Sequence, residues 1–440
     1  MGFTASTGEM ETTGILLESW DDLTTARVWR EILTHPLAVT LTVVIVYGAS
    51  LWLSFGVQNQ NPRALATVGT LFINKGGAAS PIIEQDIELS QPASRYGYAG
   101  QFNYFIALDP LNAAPYIDDP ALRYGRILYP MAARALALDN PALIPYTLVY
   151  VNALAMLAGT LAVALWLRRR RMAPWIALVY GLFPGLFFAF RHDLSEPLAF
   201  ALVAWGVLAL GWSRPYMRFV AASALFALAA LTCEVTFIIS VPYIVRLAWP
   251  EITAQDWVTR YFGIARSGLV LIGSVGPFLI WKTVLYAIFG VVILDPQQYL
   301  PFSAPFAGLL WHWSQITQPR VENQVYFIAI PGAIAAVAAI LILLRWPVGW
   351  RPSTIALAIN ALYMCVFLAP QSFYDYGSSG RIQSGIVLAA ILALPVFDAL
   401  WRQSRGWFWA ASALWLMPLW LFGIQPMLQS YLQYFQHISG

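Results

Sequence analysis

The sequence predicts an all-α, polytopic integral membrane protein of about eleven transmembrane helices with a large first external loop. Three observations carry that expectation. The 440 residues are 59% hydrophobic and only 11% charged, whereas a soluble globular chain carries roughly 25% charged residues. Apolar runs near the ~20 residues that cross a bilayer recur along the chain, and the mean hydropathy is +0.63. Arginines cluster at the ends of alternate runs, as the positive-inside bias requires of cytoplasmic loops.

In chain order, residues 1–36 are polar and acid-rich, with room for an amphipathic helix. They lack the charged-then-apolar order of a signal peptide and read as a cytoplasmic N-terminal segment. Residues 37–440 read as one transmembrane domain. Its spans are expected at 37–55, 143–167, 172–190, 196–212, 219–232, 235–249, 267–288, 325–344, 354–369, 382–400 and 407–424. Arg168, Arg169, Arg170 and Arg171 follow the second span, and Arg214 and Arg218 follow the fourth. Arg246, Arg260 and Arg266 end or follow the sixth, Arg345 and Arg351 the eighth, and Arg402 and Arg405 the tenth. An odd count puts the N-terminus in the cytoplasm and the C-terminus outside. The segments 219–232 and 235–249 are short for upright spans. They are either two helices meeting at Glu234 or one long tilted helix, which would invert everything downstream.

The long loops, 56–142, 291–324 and 370–381, then fall on the non-cytoplasmic face. Within the first, 120–138 carries Arg123, Arg126 and Arg134 at helical spacing and suits an interfacial helix. There is no internal repeat. A net charge of +3 gives no footing for nucleic acid. The two cysteines lie in apolar runs and imply no disulfide framework. The four histidines lack metal-ligand spacing, and no Walker or Rossmann glycine pattern occurs.

Irregular backbone at membrane level is tolerated where it lines a cavity, so the external loops are where chemistry is sought. The first loop holds Glu84, Asp86, Glu88, Arg95, Asp109, Asp118, Asp119, Arg123 and Arg126. This is either a solvated loop or a site in which arginine forks bind an anionic headgroup beside a carboxylate base. In "FRHDLSEPLAF", 190–200, Ser195 suits a helix cap and Glu196 and Pro197 its first turn, but Arg191 and His192 exceed what a cap needs. Glu234, in "LTCEVTF", is expensive at membrane depth and is a site candidate by default. Lys282 is expected to snorkel outward. In "YDYGSSGR", 374–381, Arg381 runs against the positive-inside bias and is a phosphate-binding candidate.

Taken together, "YAGQFNYFIALDP" (98–110), "DDPALRYGRILYP" (118–130), "SEPL" (195–198), "CEVTF" at Glu234 and "GR" at Arg381 resemble the GT-C class of polytopic membrane glycosyltransferases. The likeness covers most of the chain, and only the first-loop motifs are fairly specific. The resemblance implies a mannosyltransferase-like enzyme that takes sugar from a polyprenyl-phosphate-linked donor by inverting displacement on the non-cytoplasmic face. It implies Arg95, Gln101, Arg123, Arg126, His192, Glu196, Glu234 and Arg381 as donor-binding residues. It implies membrane lipid as a partner, no nucleic acid and no cofactor, with a divalent metal and partner membrane subunits left open. Tyr98, Tyr104, Trp311 and Trp313 would stack on sugars or form an interfacial aromatic belt. The class places its catalytic Asp in the first loop where this chain has Ala99. Losing a general base typically costs ~10²–10⁴-fold. Either another carboxylate, Asp86 or Asp109 foremost, serves as base, or the chain is an inactive relative that binds lipid or scaffolds partners, or Ala99 is an engineered change. A transporter would show paired broken helices in two halves, and none is legible.

Overall fold

The computed structural model describes residues 35–57, 61–90, 94–252, 256–290, 303–314, 325–368, 370–373, 376–400, 405–425 and 429. The expected N-terminal segment, most of the loop at 291–324, and residues 374 and 375 lie outside them. Among the described residues the structure is helical, without a β-strand; one isolated bridge pairs Gly69 with Ser94.

In chain order the main helices are α1 (Pro36–Val57), α2 (Pro81–Ser90), α3 (Gly100–Leu108), α4 (Pro120–Tyr124), α5 (Leu128–Leu136), α6 (Ile144–Arg169), α7 (Pro184–Arg191) and α8 (Glu196–Ala209). They continue as α9 (Pro215–Thr232), α10 (Phe237–Ile252), α11 (Trp257–Phe289), α12 (Ile330–Arg345), α13 (Pro352–Leu362), α14 (Tyr376–Leu400) and α15 (Gly406–Pro418). Many begin on proline, whose fixed φ and missing N–H suit the first turn.

Five helical stretches are long and apolar enough to cross a membrane: Pro36–Ser54, Pro141–Arg169, Gly263–Phe289, Val325–Arg345 and Gly377–Leu400. The expected span at 172–190 is instead a pair, Pro174–Gly181 and Pro184–Arg191, bent by 50°. Pro184 lacks the N–H that would continue the helix. The other expected spans fall on shorter helices. The 14 residues of α8 extend about 21 Å at about 1.5 Å per residue, against a hydrocarbon core of about 30 Å. Around Glu234 the chain forms two helices, α9 and α10, parted by the single turn Glu234–Thr236. That settles the choice between a break and one long helix.

Apolar side chains occupy both faces of the long helices. The inner ones, such as Met156, Leu186, Phe200, Ile239 and Leu388, form the main core. The outer ones stay exposed: Leu41 and Ile45 on α1, and Leu269, Ile272 and Ile280 on α11. Contiguous exposed apolar surface of this kind suits contact with lipid. A second apolar cluster, including Phe102, Phe105, Tyr116, Tyr129 and Leu148, lies under the first long loop. Residues 61–90 and 94–143 therefore form a folded cap on α6, and all nine residues of α3 are buried in it.

Candidate functional site

The cap meets the bundle at the turn between α7 and α8, His192 to Glu196. Asp193 there has φ of 48°, a left-handed conformation that Asp tolerates better than most residues. Four neighbours fix the turn. The Asn103 side-chain amide on α3 donates to the Asp193 carbonyl at 2.9 Å. The Asn152 amide on α6 donates to the Leu194 carbonyl at 3.0 Å. The His192 Nδ1 lies 3.1 Å from the Thr67 hydroxyl, with its ring in a mutual cluster with Tyr98 and Phe188. Gly100 lies so close that any Cβ there would overlap the His192 carbonyl oxygen. Glycine is thus required at the N-terminus of α3, and Ala99 is carried up against the turn.

Ala99, Asn103, Arg123, Arg126, Leu194, Ser195, Glu196 and Arg381 line one narrow cleft. Three arginines from two stretches far apart in sequence meet there, Arg123 and Arg126 from one and Arg381 from the other, and each is held by a carboxylate. Arg126 reaches Glu234 with a two-pronged bridge, Nε to Oε2 at 3.1 Å and Nη2 to Oε1 at 2.6 Å. Arg123 makes the same kind of bridge to Asp118, at 2.9 and 2.7 Å, with its guanidinium over the Phe102 ring. Arg381 donates to Glu196 Oε1 at 3.2 Å and to the Gly377 carbonyl at 3.0 Å, and lies over the Tyr98 ring. Such two-pronged pairs fix a guanidinium in place. Glu196 is 7% exposed, and its Oε2 has no hydrogen-bond partner among the described residues. Close packing admits Arg381: a Cβ on Gly185 of α7 would overlap the Gly380 backbone.

The electrostatics follow from burial and these pairs. Burial alone would raise the Glu234 carboxyl, but the Arg126 guanidinium outweighs it and holds it below the usual range. Asp118 is likewise lowered, by Arg123 against its burial. Burial, with Arg191 and Arg381 nearby, pushes His192 down to about 3, so the imidazole is neutral. Burial raises Asp193 well above the ordinary carboxylate value.

The other residues singled out in the sequence sit elsewhere. Asp86 is bridged by Arg63 at 2.8 Å and bonded to the Tyr104 hydroxyl. Asp109 accepts from Ser80 at 2.8 Å and from the Asn112 amide at 3.0 Å; burial would raise it, but these bonds lower it. Neither carboxylate lines the cleft. Gln101 accepts from the Gly69 N–H and donates to the Tyr96 carbonyl, both at 2.9 Å, tying the loop together. Arg95 is exposed, against the Tyr96 ring. Tyr104 is fully buried and has no face for a sugar. Ser195 makes no side-chain cap. Lys282 does not snorkel to water: it is 1% exposed, and its Nζ lies over the Phe278 ring beside Gly125. The turn's anchors, Asn103 and Asn152, carried no signal in a single sequence beyond being amides in apolar runs.

Among the described residues, no group of three or more His, Cys, Asp or Glu side chains is placed to share a metal ion. No protein family model, curated protein or solved structure matches this chain.

Proposed function

We propose that the protein is a multi-pass cell-membrane glycosyltransferase of GT-C-like, mannosyltransferase type, using a polyprenyl-phosphate-linked sugar on the non-cytoplasmic face. About eleven passes, with the N-terminus cytoplasmic and the C-terminus outside, follow from the arginine pattern. The observation that carries the reading is the convergence of Arg123, Arg126 and Arg381 on one cleft with Glu196 and Ala99. Fixed guanidinium groups stabilise the charge that develops on a leaving phosphate.

In the proposed step an acceptor hydroxyl oxygen bonds to the anomeric carbon as the bond from that carbon to the phosphate oxygen breaks. The electron pair leaves with the polyprenyl phosphate, held by the arginines, and the configuration inverts. The acceptor proton goes to Glu196 Oε2. Glu196 is the carboxylate at the cleft, and Ala99 supplies none.

A second reading, a catalytically inactive subunit that binds the lipid or holds partner membrane proteins, is favoured by one observation: the other Glu196 oxygen is already bridged to Arg381. Transfer assays with polyprenyl-phosphomannose separate the two. The enzyme reading expects turnover by the native chain and a loss of ~10²–10⁴-fold in Glu196→Gln. The inactive reading expects no turnover by the native chain, with transfer appearing, if anywhere, in Ala99→Asp.

A further inference from the structure

Helix α8 begins at the cleft, with Glu196, and ends about 21 Å away at a second cavity. Helices α10 and α14 run the same way, from near Glu234 and Arg381 to residues lining that cavity. Its volume is about 670 Å³, within the range of small-molecule sites. Four arginines line it, Arg169, Arg170, Arg246 and Arg351, and no Asp or Glu is among its described lining residues.

Two of the four are steered by local contacts. Arg169 donates to the Leu208 carbonyl at 3.2 Å, and Arg170 lies over the Trp166 ring. Behind the arginines the walls are apolar, from Val207, Leu392, Val396 and Leu400. Topology alone accounts for arginines beyond helix ends. It does not account for four of them, drawn from the end of α6, from α10 and from the turn before α13, lining one hollow with no Asp or Glu among its described lining residues.

We propose that this cavity binds an anionic phospholipid of the leaflet opposite the cleft, its phosphate held by the arginines and its acyl chains along the apolar wall. Basic hollows between helices at a membrane surface suit such headgroups, and guanidinium forks match phosphate. The apolar wall distinguishes a lipid from a soluble phosphate compound. The inference is independent of the transferase reading.

The test is the thermal unfolding midpoint of the purified full chain in neutral detergent, with phosphatidylglycerol, phosphatidylcholine or soluble glycerol phosphate added. A ligand that binds only the folded state raises the midpoint. The expected result is a rise with phosphatidylglycerol alone. The rise is lost in the Arg246→Gln/Arg351→Gln double variant, which also copurifies with at least tenfold less phosphatidylglycerol. Ala399→Trp, which fills the exposed mouth of the cavity and keeps all four arginines, abolishes the rise as well and serves if the double variant is unstable. Equal effects of the two lipids, an undiminished rise in both variants, or an equal effect of glycerol phosphate would each overturn the proposal.

Discussion

At the residue scale, the cleft depends on charges that are costly to leave alone. Arg126 and Glu234 are both mostly buried, and removing one partner of such a pair typically costs about 3–5 kcal/mol. Arg126→Ala should therefore lower the unfolding midpoint sharply. Arg126→Met with Glu234→Leu should recover most of the loss, because no unpaired charge is left buried, yet still bind the donor lipid poorly. Calorimetry beside a lipid-binding assay distinguishes the two effects. His192 gives a pH signature. Its folded pKa of about 3 lies below the ordinary value near 6.5. Between those values the unfolded chain binds the extra proton, so stability falls as pH drops from about 6.5 toward 3. His192→Phe should flatten that acid limb in a series of melts between pH 7 and 4. Asp193 has the opposite sign, since a raised acid destabilises the fold as pH rises, so it cannot produce the same limb.

At the scale of elements, the long apolar helices were legible, whereas of the cap only helix at 120–138 was, and that as one helix where the structure has two, Pro120–Tyr124 and Leu128–Leu136. Helices α1, α6, α11, α12 and α14 follow from uninterrupted apolar runs, whereas the carboxylate at Glu234 allowed either a break or one long helix, and the structure has the break. Residues 56–142 read as a loop with amphipathic pieces because their helices are short, and in α3 all nine residues are buried, which leaves no period to detect. The candidate arginines could be named from sequence, but not their partners: the Glu234 and Arg126 contact spans 108 residues and the Arg381 and Glu196 contact 185. Asp86 and Asp109, the carboxylates named from the sequence as bases in place of Ala99, are held outside the cleft lining by Arg63 and Ser80. Gly100 is where the cap is fastened. Gly100→Ala forces backbone apart and should cost about 1–3 kcal/mol. The unfolding midpoint reads that cost, and a midpoint equal to the native one would show that the cap and the α7–α8 turn do not depend on their close approach.

At the scale of the whole molecule, the two ends of the bundle carry different chemistry. One end has arginines paired with carboxylates around the cleft; at the other, four arginines and no described Asp or Glu line an apolar-backed hollow, beside the Arg405–Asp398 pair. That asymmetry fits a protein whose ends face different compartments, and it can be checked in intact cells. Leu111, on the cap, and Tyr216, at the start of α9, are both highly exposed. A membrane-impermeant maleimide should label Leu111→Cys directly and Tyr216→Cys only after permeabilisation. Labelling of both in intact cells would put the two ends on one side and remove the proposed topology.

The arginine cleft itself is tested most directly by the binding of a short-chain polyprenyl phosphate to the purified native chain and to Arg123→Gln/Arg381→Gln. The account predicts saturable binding by the native chain, weakened at least tenfold in the variant while the fold persists by circular dichroism. Equal binding by both, or no binding by the native chain, would contradict it.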